Sequence, residues 1–356
     1  MTFRLPDSCE AGPRPARTRV AVLYGGRSPE HAVSVASGRA VLDALNPRVH
    51  DPLPVLITAE GRWTTPGHSS AVVLDPSTGE FLRHRPGRPG YSLGRPDVVF
   101  PVLHGPMGED GTVQGLLELA GVPYVGCGVL SSAACMDKEW SKRVAAAAGL
   151  PIAPYVVLDG PRPRAEGLLA RFGAPVFVKP ARCGSSLGVS PATDPAELDT
   201  AIRVASAYDI KVIVEAGVRG MEVMCGVLEL AGEPVASPLA EIALDGAAFF
   251  DYAAKYAASR PQFTVPARLD HDTTRRVREM AVAAFRALGC RGLARVDCFV
   301  SGEGEVVLNE VNTMPGFTSG SLFPQMWKAA GLSYPELIDH LIRSALGSPA
   351  SLRPAA

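Results

Sequence analysis

No stretch of this sequence approaches 18 uninterrupted apolar residues, so no membrane-spanning helix is expected. The seven cysteines, Cys9, Cys127, Cys135, Cys183, Cys225, Cys290 and Cys298, are odd in number and scattered, with no CxxC pair. A disulfide scaffold and a zinc site therefore both read poorly, and a reducing cytoplasm is the expected compartment. Runs of Lys and Arg are missing too, and the formal net charge is −1, which argues against nucleic acid as a partner. Neither GxGxxG nor the GxxxxGK[ST] order occurs, so the dehydrogenase and Walker readings lose their main support. The first 18 residues carry three prolines and no apolar h-region, and read as a floppy tail, as do residues 348–356. Lysine is scarce, 6 against 29 arginines, so each lysine marks a place where a slim ammonium could be needed.

The chain is otherwise well supplied for folding. At 356 residues with 47% hydrophobic and 20% charged residues, it suits two or three globular domains. Residues 19–24 (RVAVLY) form a buried parallel-strand pattern running into Gly25-Gly26. A helical pattern to Leu45 and strand-like runs at 53–58 and 98–103 follow, giving a parallel α/β unit over residues 19–126. Residues 61–95, rich in Gly, Pro and Arg, read as surface excursion and hairpin. A helix is expected over 131–148, with a serine N-cap and Gly149 as its terminator. Strands at 176–179 and 211–215 flank a helix that opens Asp194-Pro195-Ala196-Glu197, with a capping-box Glu. A helix at 273–288 then leads to two strands, 293–300 and 305–311, joined by a short turn as an antiparallel hairpin.

That hairpin carries the clearest chemistry. Residues two apart on a strand face the same way, so Arg295 and Asp297 share one face, as do Glu310 and Asn312. Pairing brings three oxygen ligands together with a cation beside them, which suits Mg²⁺; a solvated face with a salt bridge explains the spacing equally well. Residues 176–189 (VFVKPARCGSSLGV) deliver Lys179 from a strand into a glycine-serine loop able to present N–H groups to phosphate, or to be a plain turn. Cys183 in that loop has no His near it in sequence and reads as a space-filler. Residues 246–266, with Phe249, Asp251, Tyr252, Lys255 and Tyr256, have the aromatic character of a mobile lid, or of an ordinary packed loop. The loops at Gly25–His31 and at His104–Gly111 follow strands, where α/β units place ligands.

Taken together, LYGGRSPEHAVSVASG, PVLHGPMGEDGTVQGLLELAGVPYVGCG, MDK, VFVKPARCGSSLGV, FFDYAAKY, LARVDCFV and LNEVNTMPGFTSGSLFP closely resemble the D-alanine–D-alanine ligase family, in family order from about residue 19 to 346. The resemblance implies a three-domain ATP-grasp ligase: an N-terminal parallel α/β domain (19–126), a central subdomain (127–215) and an α+β C-terminal subdomain (216–347) with lid 246–266. It implies ATP with two Mg²⁺ or Mn²⁺ ions as cofactors, D-alanine as substrate, peptidoglycan precursor supply as the role, and a homodimer without membrane or nucleic-acid partner. Carried over by position, Asp297, Glu310 and Asn312 would hold metal. Lys138, Lys179, Lys255, Glu215, Glu222, Phe249 and Asn309 would bind nucleotide. Arg295, with the backbone near Gly316, would stabilise charge at the reacting carbonyl. Glu30 and His104 would bind the first substrate, and Ser321 and Leu322 would line the second subsite. Glu30, Ser185 and Tyr256 would latch the lid.

Four positions depart from the family pattern: Ala32, Ala253, Gly320 and the small hinge Ala216-Gly217-Val218. Parts of the chain also resemble the vancomycin-resistance ligases, which use D-lactate or D-serine second. Lys255-Tyr256 and Leu322 match the D-alanine type. The alternatives are a different ATP-grasp carboxylate–amine ligase and a nucleotide-binding protein without catalysis.

Overall fold

Residues 17–85, 87–160, 165, 167–242 and 263–347 are described by a computed structural model. The opening apolar run becomes β1 (Thr18–Gly25), followed by α1 (His31–Ala44), β2 (His50–Ile57), β3 (Trp63–Thr64), β4 (Val72–Leu74), β5 (Phe81–Arg85), β6 (Arg88–Gly94), β7 (Val98–Val102) and α2 (Thr112–Leu119). The first sheet has the order β3-β2-β1-β7, with β1 parallel to β2 and β7 and only β3 antiparallel. Its carboxyl ends therefore launch the Gly25-Gly26 and His104 loops from one edge. The segment expected as surface excursion and hairpin is a three-stranded sheet, β4-β5-β6, in which β5 and β6 form the hairpin. Alternation in those short strands buries Val72, Leu74 and Phe81 against Ala21, Leu23 and Val99, so this segment covers a core instead of looping over solvent.

Two helices replace the single one expected over 131–148: α3 (Val129–Met136) and α4 (Lys138–Ala147). Asp137 separates them with an extended backbone, and its carboxylate accepts from the Glu139 and Trp140 N–H groups, capping α4. Ser131 lies inside α3 and is not an N-cap. Gly149 ends α4 with φ +75°, as anticipated.

The central unit contains β8 (Tyr155–Asp159), α5 (Leu168–Phe172), β9 (Val176–Pro180), β10 (Ser190–Ala192), α6 (Pro195–Ser206) and β11 (Lys211–Ala216), in the antiparallel order β10-β9-β11-β8. Asp194 caps α6 as expected, but Glu197 reaches back to the Thr193 N–H at 2.7 Å, one residue past the N-cap N–H of the standard capping box.

A five-stranded antiparallel sheet closes the chain: β12 (Met221–Leu230), β13 (Glu233–Ile242), β14 (Phe263–Thr264), β15 (Leu293–Val300) and β16 (Val306–Asn312), in the order β14-β13-β12-β15-β16. Helix α7 (His271–Ala287) lays Val277, Ala281 and Phe285 on its apolar face against Val223, Val296 and Cys298. It starts two residues before the expected Thr273 because Asp270 supplies the cap, accepting from the Thr273 N–H at 2.9 Å. Helices α8 (Leu322–Ala329) and α9 (Tyr334–Gly347) bind the first sheet to the last. Phe323, Leu341 and the fully buried Phe317 share one cluster with Val22 and Phe100. Burying a side chain of that size contributes about 1.5–3 kcal/mol, so this seam holds the two sheets in fixed relation. Among the described residues no helix is long and apolar enough to cross a membrane.

Candidate active site

The loop after β1 is built for a close approach. Gly25 and Gly26 have φ +95° and +97°, and a Cβ on Gly25 would lie 2.1 Å from the Ile57 carbonyl oxygen, so only glycine fits there. Beyond it, Ser28 Oγ donates to the His104 carbonyl at 2.6 Å and accepts from the Glu30 N–H at 3.1 Å, tying the loop after β1 to the loop after β7. Glu30 is 8% exposed, and the Ser185 hydroxyl donates to its carboxylate. Ser185 and its neighbour Ser186 sit in the left-handed region, at φ +51° and +56°, which turns the central glycine-serine loop towards Glu30.

His104 is buried. Its Nδ1 donates to the Met314 carbonyl at 3.0 Å, which leaves Nε2, 3.3 Å from Ser37 Oγ, as the acceptor of that hydroxyl. Burial lowers its pKa against the pull of Glu30, so the ring is neutral and acts as a strut between β7 and the segment after β16. In that segment Ser321 Oγ accepts from the Thr318 N–H at 3.0 Å and lies close to Gly316, while making no cap bond to α8. Leu322 opens α8 against the apolar cluster of Met224, Ala240, Ile242 and Met326.

The hairpin expectation holds: Asp297 pairs in register with Glu310, and Arg295 with Asn312. While Arg295, Glu310 and Asn312 are half-buried, Asp297 itself is not solvated, at 1% exposed. Arg295 grips it with Nε at 2.7 Å and Nη2 at 2.6 Å, and Asn312 Nδ2 donates to it at 3.2 Å. A bulge between Asp297 and Cys298, unforeseen from sequence, re-aims the strand just past the carboxylate. Among the described residues no cluster of three or more His, Cys, Asp or Glu side chains is placed to hold a metal. The donors here are two carboxylates and one amide. All are hard oxygens, with Arg295 and Lys138 close enough to act electrostatically on them, and this chemistry fits Mg²⁺.

The lysines reach this face from the central unit. Lys138, first residue of α4, donates to the Cys183 carbonyl at 2.7 Å; burial lowers its pKa, opposed by Glu310 and reinforced by Lys179. Lys179 pairs with Glu215 and lies 3.4 Å from Asn309 Oδ1. A cavity of about 30 Å³ is walled by Glu109, Lys138, Cys183, Gly184, Glu310 and Asn312. A Cβ on Gly184 would lie 3.0 Å from Glu30 Oε2, so this cavity joins the Glu30–Ser185 end to the Asp297–Glu310 end. A cavity of about 580 Å³ near Tyr124 and Leu341 contains none of these side chains, so size alone does not locate the site.

Two residues of this constellation escaped the sequence reading. Glu109 accepts from the Gly105 N–H at 2.7 Å; burial, then the charge of Glu30, pushes its pKa up to about 8. It lies within HGPMGEDG, where its spacing from the strand gives no sign of its burial. Lys142, 2.9 Å from Glu215, carried no signal. Glu222 sits on β12 beside the hairpin strand, opposite Phe299. Phe249, Lys255, Tyr256 and all of the expected lid before Phe263 lie outside the described residues, so of the Glu30–Ser185–Tyr256 chain only the first link is seen.

Against known proteins, the family model described as the D-ala D-ala ligase N-terminus matches residues 19–127, and that of the D-ala D-ala ligase C-terminus matches 144–343. The chain belongs to the D-alanine–D-alanine ligase family. It is 50% identical to the D-alanine–D-alanine ligase of Nocardia farcinica, covering 95% of this chain and 99% of that one. With the Streptomyces avermitilis ligase the identity is 46%, over 99% and 100% of the two chains. Among solved structures, the VanG D-Ala:D-Ser ligase of Enterococcus faecalis superposes with TM-score 0.82 at 38% identity, over 93% of this chain and 100% of that one. The Bacillus anthracis D-alanine–D-alanine ligase complexed with ATP gives TM-score 0.73 at 28% identity, over 92% and 97%. The family's ATP-grasp fold, α/β with an antiparallel C-terminal part, is the fold described above.

Proposed function

We propose that this chain joins two D-alanines to D-alanyl-D-alanine at the expense of ATP, supplying peptidoglycan precursor. The first D-alanine's carboxylate attacks the γ-phosphate, giving an acyl phosphate and ADP. The amine of the second displaces phosphate through a tetrahedral intermediate. The observation that carries the reading is the shared cavity wall, where Lys138, Gly184, Glu310 and Asn312 meet and which Glu30 approaches from the other side.

The residues divide the work along that wall. Glu30 binds the first D-alanine, whose ammonium faces its buried carboxylate, and neutral His104, its ring nitrogens held by Met314 and Ser37, fixes the loop that orients the substrate. Lys138 and Lys179 meet ATP phosphates, Glu215, Glu222 and Asn309 border the nucleotide, and Phe249 and Lys255 complete it from the lid. Arg295, with the backbone at Gly316, stabilises charge developing at the reacting carbonyl. Ser321 and Leu322 bound the second subsite, and Tyr256 closes on Ser185 and Glu30. Asp297, Glu310 and Asn312 would hold two Mg²⁺ or Mn²⁺ ions, which neutralise phosphate charge when bound. The three domains divide at 19–126, 127–215 and 216–347; the enzyme works in the cytoplasm, as a homodimer.

Leu322 belongs to an apolar cluster and offers a wall suited to a methyl group. Gly320 departs from the family pattern, which has a larger residue beside Ser321, and an apolar pocket rejects an added hydroxyl by only about 10². D-Serine as second substrate is therefore the competing reading, which the likeness to a D-Ala:D-Ser ligase also favours. Equal D-alanine, D-serine and D-lactate compete at about pH 7, with phosphate release followed and products resolved by mass. D-Alanyl-D-alanine should dominate. A majority of depsipeptide or of D-alanyl-D-serine would overturn the specificity, and absence of phosphate release with every amino acid would overturn the ligase.

A further inference from the structure

Helix α4 delivers two ammonium groups four residues apart, and therefore on neighbouring positions of one face. Lys138 goes to the glycine-serine loop. Lys142 goes inward: it is 3% exposed, its Nζ lies 2.9 Å from Glu215 Oε2, and it sits 5.7 Å from the centre of the Tyr155 ring. Lys179 takes the other Glu215 oxygen. One buried carboxylate is thus shared by two buried ammoniums, and the trio carries one net positive charge. Burial works against ionisation of Glu215, and the charge of Lys142, ahead of that of Lys179, overrides it and holds the carboxyl well below the usual range.

We propose that Lys142 is a positioning residue: by occupying Glu215 Oε2 it stops the carboxylate from capturing Lys179 outright, and so leaves the Lys179 ammonium available to the phosphate of a bound nucleotide. The inference rests on the reading above that Lys179 faces ATP. A lone ammonium on a buried carboxylate is a closed pair, and leaving it would strand two charges in a low dielectric. With a second ammonium on the same carboxylate, Glu215 alone no longer balances Lys179, whose charge Glu310 and Glu222 also favour from farther off, and an incoming phosphate competes for it. Lys142 acts through Glu215, not on the ligand, because its Nζ is enclosed between Glu215 and the Tyr155 ring.

The test uses the full-length enzyme with Mg²⁺. Lys142→Met should raise KM for ATP by about tenfold or more, the equivalent of about 1.4 kcal/mol, with KM for D-alanine unchanged and kcat much less affected. Lys142→Arg, which keeps the charge, should recover most of that loss. In a Glu215→Gln background Lys142→Met should change KM for ATP by less than about twofold, because the two residues act as one unit. A folded Lys142→Met enzyme with the parent's KM for ATP would overturn the proposal, and so would an equal rise in both backgrounds. Should the Met variant fail to fold, the neutral but polar Lys142→Gln takes its place under the same criteria. If the parent enzyme consumes no ATP with D-alanine, the ligase reading fails. Calorimetric MgATP affinities of the same variants still decide the role of Lys142.

Discussion

Asp297→Asn strikes the most deeply buried charge of the site. Asp297 is 1% exposed and receives Arg295 Nε at 2.7 Å, Arg295 Nη2 at 2.6 Å and Asn312 Nδ2 at 3.2 Å. Both arginine bonds are charge-assisted and parallel, the strongest arrangement available to a carboxylate. An amide keeps the shape but turns an NH₂ group towards the guanidinium and leaves the arginine charge without its partner. Removing one side of a buried pair costs about 3–5 kcal/mol. For a chain of this length that corresponds to a fall in melting temperature of about 4–7 °C. Scanning calorimetry at about pH 7 without nucleotide measures it, free of any effect on metal or ATP. Glu310→Gln serves as the comparison, since Glu310 faces Asp297 in the same hairpin but is only half-buried and should melt nearer the parent. If Asp297→Asn melts within about 2 °C of the parent, the guanidinium finds its compensation elsewhere and the pair does not clamp the hairpin.

Two further outcomes are expected. Glu310→Gln should stay folded yet lose turnover by orders of magnitude, because phosphate charge goes uncompensated; near-normal turnover at saturating Mg²⁺ would remove Glu310 from the metal set. Glu109, its pKa raised from 4.5 to about 8 by burial and then by Glu30, binds a proton more tightly folded than unfolded. It therefore favours the folded state at acid pH, a benefit lost as pH rises towards about 8, so Glu109→Gln should flatten the decline in melting temperature between about pH 5 and 8. Parallel curves for parent and variant would show that Glu109 is ionised throughout that range.

The hairpin was legible because strand periodicity is short and rigid: with residues 301–304 as the turn, Asp297 falls near Glu310 and Asn312, while their direct pairing is set by the bulge at Asp297 and Cys298, which the spacing did not announce. The Glu30–Ser185 bond was not legible from spacing. Its partners are 155 residues apart, in the loop after β1 and the loop after β9, and only the family resemblance brought them together. In residues 61–95 the hairpin was legible, but Gly and Pro outweighed the three-residue alternation that buries Val72 and Leu74, so the inward face was missed. Lys142 was invisible for a related reason. A lysine on an amphipathic helix reads as solvent-facing, and nothing local announces that a carboxylate on a distant strand waits beneath it.

The misread helix at 131–148 has the largest consequence. Its residues favour an unbroken helix, and local propensity alone gives no reason to stop at Asp137. The reason lies on β11, where Lys211 Nζ meets Asp137 at 2.5 Å and Glu139 at 2.9 Å, both largely buried. Those pairs hold Asp137 in its extended capping geometry, and the Lys138 N–H goes to the Ala181 carbonyl at 2.9 Å in place of a helical partner. The break thereby makes Lys138 the first residue of a new helix, free to reach the Cys183 carbonyl in the glycine-serine loop. In an uninterrupted helix Lys138 would be fixed by the turn before it, and no ion pair would be needed to hold it. The site proposed to meet ATP phosphate is therefore aimed by charges that never touch the ligand, and sequence rules failed where the fold departs from local preference to place a functional group.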